Sequence, residues 1–496
     1  MRTRIIVIGL TAVVAVILLA IVIIPGLLNS KQVPDQALWP TQGWRSSTPE
    51  EQGFDSAILA DGLLTLQERN VRIDSLLIIR NGYVVLDAYF YPYDRSIPHK
   101  LASVTKSVMT TLIGIAIDQG VIQLDQPMVS FFPDREIANL DARKEHVTIR
   151  HLVSMQNGFA SGCLAGDEAT LNQMRSNPDW VQAALDRKVP VEPGTNFCYD
   201  SPGMHLLSAI LQEATGMTAL EFARQNLFEP LGIQEVYWQS DPQGYIHGWG
   251  DLYLKPRDAA KIGYLWLNQG VWGEKQIVSA RWVADSIEAH NGAGGDGYGY
   301  GWWVSDDNFY ASGRGGQNIK VYPSYNAIVV TTASGFDYQQ IEPLLVAAFV
   351  NPNKPLPANP ASVTKLEETL PVLAQAPNPW PNNPIPEITK QISGKTYEFV
   401  PNSVGLETIR LEFGDPEAAI FYLKLQGQDE TWTVGLDGNY RISPDGQGLR
   451  GYWENPQTFI LQIFEEGLST RRLFFKDDRV KINFPESGFD LEGRME

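Results

Sequence analysis

Ten of the 32 prolines fall between residues 352 and 386, and they divide the chain into two kinds of text. Proline fixes φ and removes a backbone donor, so it works against a continuous sheet through such a stretch. We expect a linker or extended strap over residues 352–388, with one short helical run inside it. Upstream, over residues 31–351, the order is strands, many helices, strands, helix. Two β-rich runs, Ile73 to Arg80 and Tyr83 to Phe90, flank Asn81-Gly82, a hairpin signal. Helical text follows from Leu101 to Gly120 and recurs to Ala289. Strand text returns at Asn308 to Ser312, Asn318 to Tyr322 and Ala327 to Thr332. This order predicts an α+β fold: an antiparallel sheet of early and late strands, with a helical region inserted between them. Downstream, over residues 389–496, short β-rich runs recur at a spacing of roughly ten residues, which predicts an antiparallel β-barrel or sandwich domain. No catalytic constellation stands out there, so a structural or docking role is expected for it.

At the other end, Arg2 and Arg4 precede Ile5 to Ile24, an uncharged run long enough to span a bilayer. It runs into Pro25-Gly26 without a small-x-small cleavage site. Residues 1–30 are therefore expected to be an uncleaved anchor, with the membrane met through residues 5–24; secretion after signal cleavage is the alternative. The positive-inside rule keeps both arginines cytoplasmic and places the rest of the chain outside. Export permits a disulfide, and Cys163 and Cys198 are the one pair available. A net charge of −18 without a basic stretch argues against nucleic acid as a partner. None of the six histidines falls in an H-E-x-x-H spacing, and two cysteines cannot build a zinc site alone. No metal and no cofactor is expected.

The chemistry is concentrated at Ser103-Val-Thr-Lys106, which opens the long apolar helix. Residues three apart lie on one helix face, so a hydroxyl stands beside an amine. Four letters are a weak signal, and Ser362-Val-Thr-Lys365 repeats them inside the proline-rich stretch. The second copy opens only a short polar run, and we treat it as a decoy. A free lysine is almost wholly protonated at neutral pH, so a lysine base needs burial and a second titrating group beside it. Tyr199, in the turn Pro193 to Gly203, is the candidate, with Ser201 two residues on along an extended segment. A third piece is Ser312-Gly-Arg-Gly-Gly-Gln317, between two strands. Its glycines allow close approach to the backbone, the Gln317 N–H is placed as an oxyanion donor with the Ser103 N–H, and Arg314 as a carboxylate clamp.

These segments together resemble the penicillin-recognising serine hydrolases, in the class C β-lactamase-related branch. The 6-aminohexanoate-dimer hydrolases and family VIII esterases are the subgroup most similar to the chain. The resemblance rests on motifs in register from Trp44-Arg-Ser-Ser-Thr-Pro-Glu-Glu-Gln-Gly53 through Ser103-Val-Thr-Lys106, Thr148 to Gly158, Tyr199-Asp-Ser201, Leu252 to Asp258 and Tyr298 to Trp303, to Gly313 to Gln317. It implies a β-lactamase/transpeptidase-like fold and a serine hydrolase acting on a small-molecule or short-peptide ester or amide. Ser103 takes the nucleophile's place, and Lys106 with Tyr199 the coupled base. Ser201 falls where the family carries asparagine, and Arg314-Gly315-Gly316 where it carries Lys-Thr-Gly. Both departures favour esterase or amidase activity over β-lactam hydrolysis. Two other readings stay open at this point: a non-catalytic binder of penicillins or peptidoglycan peptides, and a scaffold acting through the β domain.

Overall fold

The computed structural model describes residues 39–159, 167–293, 296–375, 385–402, 404–425, 427–443, 446–464, 468–485 and 488–496. The apolar run at residues 5–24 and Cys163 lie outside the described residues. Among the described residues no helix is long and apolar enough to cross a membrane.

The first body is built on a nine-stranded sheet. Its strands are β1 (Arg45–Ser46), β2 (Ile73–Arg80), β3 (Tyr83–Tyr89), β4 (Asn291–Ala293), β5 (Asp296–Tyr298), β6 (Trp303–Val304), β7 (Phe309–Gly313), β8 (Gln317–Tyr322) and β9 (Ala327–Ala333). The order across the sheet is β1-β3-β2-β9-β8-β7-β6-β5-β4, antiparallel except for β1 beside β3. Early and late strands thus meet at β2–β9, and the helical region is inserted between them, as the order of the text implied. The β2–β3 turn has φ of 52° at Asn81 and 80° at Gly82. Two successive positive φ values define the type I′ turn whose twist matches a hairpin.

Every residue of β2 and β9 is buried, because helices cover both faces. On one face α1 (Ser56–Glu68) packs Leu59, Leu63 and Leu66 against Leu76, Ile78 and Leu86. Asp55 starts that helix by accepting from the N–H groups of Ala57 and Ile58. On the other face lie α2 (Val104–Asp118), and later α4 (Pro256–Leu267), which meets β8 and β9. Between them in the chain α3 (Ser201–Thr215) packs against α2. The thirteen residues Val104 to Ala116 are all buried, so α2 is surrounded rather than amphipathic.

The proline-rich stretch carries a helix of its own, α5 (Pro360–Leu373), which lies on α1 with Leu366 and Leu373 in the same core. The duplicate motif sits on its first turn. Lys365 there is half in solvent and paired with Asp61 of α1, so no nucleophile–base pair is formed at Ser362.

The second body is a closed β-barrel. Its sheet contains β10 (Thr396–Phe399), β11 (Leu406–Glu412), β12 (Ala418–Leu425), β13 (Gln428–Gly435), β14 (Arg441–Ile442), β15 (Gly448–Asn455), β16 (Thr458–Phe464), β17 (Leu468–Lys476), β18 (Arg479–Phe484) and β19 (Phe489–Met495). β14 hangs on β15 alone among these, and the other nine form the ring. An odd ring of alternating strands cannot close without one parallel pair. That pair is β13 with β15, at Gly435 and Arg450. The barrel touches the first body through Tyr93, whose hydroxyl donates to the Gly446 carbonyl at 3.2 Å and whose ring lies 5.6 Å from that of Phe464.

Candidate active site

The turn into α2 is made by Ala102, whose φ of 45° lies in the left-handed region that a residue with a Cβ adopts at a cost. The Leu101 N–H, donated to the Leu252 carbonyl at 2.8 Å, fixes the approach. Ser103 follows as the cap residue of α2, and its side chain bonds no helix N–H. Instead Lys106 Nζ, one turn on, donates to Ser103 Oγ at 2.9 Å. The same Nζ donates to the Trp249 carbonyl at 3.0 Å and lies 4.7 Å from the centre of the Tyr199 ring. Lys106 is 1% exposed, so a strongly hydrated head group is held in the interior by these contacts.

Tyr199 reaches that place because its loop is anchored on either side. The Cys198 N–H donates to the Met155 carbonyl at 2.7 Å. Asp200, fully buried, accepts from Arg187 through both carboxylate oxygens and from Asn157 Nδ2 at 2.9 Å. The Tyr199 ring stacks on Trp303, with centroids 6.2 Å apart, and meets Tyr298 edge-on. Burial keeps the Tyr298 phenol well above its ordinary pKa, with Tyr199 and Asp167 adding to the shift, so Tyr298 is a neutral wall rather than a base. Cys198 is disulfide-bonded; its expected partner, Cys163, is outside the described residues.

β7 forms the opposite wall. A Cβ at Gly313 would lie 2.5 Å from the Leu101 carbonyl oxygen and 3.0 Å from the Ser103 nitrogen. The strand edge therefore meets the Ser103 backbone at Gly313, where only glycine leaves room. Ser103, Tyr199, Asp296, Trp303, Tyr310, Ser312, Gly313 and Arg314 line an open cleft of about 440 Å³. Asp296 is held below the usual carboxylate range by hydrogen bonds from Ser305 and Tyr310. Arg314 reaches across the mouth to Glu168 at 3.4 Å, both side chains well exposed. Such an exposed pair contributes about 0–1 kcal/mol and leaves the side chain ready to exchange partners.

Four residues expected at the substrate stand elsewhere. Ser201 is buried, with its N–H and its hydroxyl both donated to the Asp167 carboxylate at 2.6 and 2.7 Å. Gly315 and Gly316 make the β7–β8 turn, where a Cβ would meet Gln317 and Ala333 or Phe336. Gln317 is buried behind the wall, its amide joined to the N–H and C=O of Ala333. Gln317 pairs with Gly313 across the hairpin, so the residue beside Ser103 belongs to β7 and not to the start of β8.

The sequence reading passed over the lysine's support. Trp249 lies in His247-Gly-Trp-Gly-Asp251, a compact His/Trp/Asp run that is the only signal it offers. His247 stacks on the Trp249 ring at 4.4 Å, and its Nδ1 is 2.8 Å from Asp251 Oδ2. Burial works first against the Asp251 charge; the His247 hydrogen bond and the Lys100 charge overcome it and hold the carboxylate well below its usual range. His205, bonded to Asp241 at 3.1 Å, lies edge-on to the same Trp249. Burial pushes its pKa down, so His205 is a neutral bracing ring. Among the described residues no group of acidic, histidine or cysteine side chains is arranged to hold a metal ion.

Comparison with known proteins follows the same outline. The Beta-lactamase family model matches residues 64–358. The 6-aminohexanoate-dimer hydrolase of Paenarthrobacter ureafaciens is 25% identical over 315 residues, spanning 58% of this chain and 80% of that one. Among solved structures, a putative 6-aminohexanoate-dimer hydrolase from Bacillus anthracis superposes with a TM-score of 0.51 at 18% identity, over 62% of this chain and 86% of that one. EstCE1, a hydrolase with promiscuous acyltransferase activity, gives 0.51 at 17% identity over 59% and 99%. At those identities the structural likeness speaks to the fold.

Proposed function

The chain belongs to the Beta-lactamase family and is a serine hydrolase, and from that premise we propose that it cleaves an ester or amide bond through an acyl-enzyme on Ser103. The observation that carries the reading is the buried Lys106 Nζ, shared between Ser103 Oγ and the Trp249 carbonyl and facing the Tyr199 ring. Ser103 Oγ attacks the substrate carbonyl, and its proton passes to the Lys106–Tyr199 pair. The negative oxygen that forms sits at the N-terminus of α2, where the helix dipole and the Ser103 N–H favour it. The edge of β7 meets the Ser103 backbone at Gly313, where a Cβ would lie 3.0 Å from the Ser103 nitrogen, and we assign the second donor to that edge rather than to Gln317. Tyr199 returns the proton to the leaving alcohol or amine. Water then attacks the acyl ester, giving up its proton to the same pair, and the acid departs.

The substrate class follows from the walls. Trp303, Tyr310 and Tyr199 give flat apolar surface, and Asp296 a charge at one side. Ser201, tied to Asp167, offers the cleft no amide. A small-molecule or short-peptide ester or amide fits this better than a β-lactam. Labelling with a fluorophosphonate tests the mechanism: the added mass should map to Ser103, and the Ser103→Ala chain should neither label nor turn over. Burst kinetics on p-nitrophenyl esters, D-amino acid amides, linear amides and nitrocefin would rank the substrates. Stable labelling with no turnover on any of them would replace the hydrolase reading with that of a sensor. We further propose that residues 5–24 anchor the chain in the membrane with the hydrolase outside the cytoplasm; a mature N-terminus near residue 30 would overturn the anchor.

A further inference from the structure

The barrel interior is not packed to its end. Val404, Leu406, Ile409, Phe421, Leu423, Leu425, with residues of the facing strands, surround an apolar cavity of about 250 Å³. Burial is graded along it. Ile409, Leu461, Leu473 and Ile482 at its inner end are sealed from solvent, whereas Leu425, Trp432, Ile463 and Phe484 are partly exposed. The cavity is therefore a blind apolar tube with one open end. Its single charged lining residue is Arg471, on the inward register of β17 with Leu473 and Phe475. Arg471 is partly exposed and lies with its guanidinium 4.6 Å from the Phe484 ring centre, at the same end. A void lined by apolar side chains excludes water and accepts an apolar guest, and a convergent polar group orients that guest.

We propose that the barrel binds an amphipathic carboxylate of medium chain length, tail inward and carboxylate at Arg471. An aliphatic chain fills a narrow dry tube without leaving a polar atom unpaired, and a guanidinium is the donor best matched to a carboxylate. The site is separate from Ser103, and it gives the second body a task, where its sequence offers no catalytic constellation. Cavity-lining Ile463 is followed in the chain by Phe464, which touches Tyr93 of the hydrolase body. Occupancy is thus sited beside the joint between the two bodies.

Titration calorimetry on the whole chain in detergent-free buffer, with decanoate and decanol as probes, tests this. One decanoate should bind per chain, equally well after Ser103→Ala. Arg471→Gln should weaken decanoate by about tenfold while changing decanol less than about twofold, since only the charge-assisted pair is lost. Leu461→Trp, which fills the inner end, should abolish both, with hydrolysis of a p-nitrophenyl ester retained as the sign of an intact fold. Arg471→Gln lies at the rim and keeps the test readable should the tryptophan variant fail to fold. No binding of either probe, equal loss of both on Arg471→Gln, or loss of decanoate on Ser103→Ala would each overturn the proposal.

Discussion

Lys106 is the residue on which the most depends, and its two acceptors differ in how visible they are. Ser103 is three positions away on one helix, so geometry alone pairs them. Trp249 is 143 residues away and offers a backbone carbonyl, which any residue type supplies. That half of the site shows in the sequence only as the His247-Gly-Trp-Gly-Asp251 run around it, not in the acceptor itself. Ser201 shows the converse: its place in the motif was plain, but not the Asp167 carboxylate that turns its hydroxyl away from the cleft. Replacing Lys106 with methionine keeps the stem and removes the amine. Hydrolysis of a p-nitrophenyl ester should fall by about 10³-fold or more, because the proposed mechanism loses its general base. Thermal stability should hold or rise, since an apolar isostere of a buried polar head group relieves its desolvation. Steady-state kinetics beside a melting curve separates the two; a parallel loss of both would make Lys106 a structural residue. Asp296→Asn belongs at the same scale. It should raise KM for cationic esters by several-fold and leave neutral ones alone, because an ionised carboxylate beside aromatic faces selects for positive charge. Equal change in both series would remove Asp296 from substrate recognition.

Two elements hold the surroundings of Ser103, the edge of β7 and the Tyr199 loop. The sequence showed a glycine-rich turn between strands, but not where the turn begins. A shift of a few residues exchanges the strand edge for the buried side of the hairpin, as Gly313 and Gln317 illustrate. Gly313→Ala places a Cβ 2.5 Å from the Leu101 carbonyl oxygen, so backbone must move beside Ser103. Displacements of about 1 Å at a reacting centre cost about 10²-fold, and kcat should fall by that order with the fold retained. An alanine variant with wild-type kcat would remove β7 from the catalytic wall. The Tyr199 loop hangs on Asp200, which is 1% exposed and gripped by Arg187. Arg187→Ala strands that carboxylate and should cost about 3–5 kcal/mol, as breaking a buried pair from one side does. Adding Asp200→Asn should recover part of the loss in a double-mutant cycle. Additive losses would show that the two side chains are not coupled.

At the scale of the whole molecule, the sequence distinguished two bodies because strand–helix alternation and ten-residue strand spacing are local patterns. Ring closure through one parallel pair, the cavity and the joint are not local, and none was legible. The joint also carries a pH dependence. His99 and Asp74 are both buried, their nearest atoms 3.8 Å apart, in a small void shared with Tyr93, Lys100, Gln317 and, from the barrel, Gly446. The His99 ring lies 4.2 Å from that of Tyr93, the residue that holds Gly446. Burial pushes the His99 pKa down to about 3, partly offset by the charge of Asp94, and pushes Asp74 well above its ordinary value. Burial thus keeps both neutral across the intervening range. An unfolded histidine takes up a proton near pH 6.5, and the folded His99 refuses it until about 3. Stability from this group is therefore complete above about pH 6.5 and drains away as pH falls through that window. At pH 5 the loss is about 2 kcal/mol, from 1.36 kcal/mol per unit. Asp74 has the opposite sign: the folded carboxyl keeps a proton that the unfolded chain releases above about 3.9, so its contribution declines as pH rises. His205 titrates with the sign of His99 and supplies a separate share of the acid limb. Glutamine at position 99 fills the site and cannot take up the proton. Between pH 7 and pH 5 the melting temperature of the parent chain should move downward relative to that of His99→Gln, the Asp74 share being common to both. Asp74→Asn, which cannot ionise, should instead reduce the decline that sets in as pH rises above about 3.9. Hydrogen exchange at pH 5 should then show β16, which ends at Phe464, opening more readily in the parent than in His99→Gln. Identical pH profiles in the parent and His99→Gln would mean that the joint carries no proton-linked term.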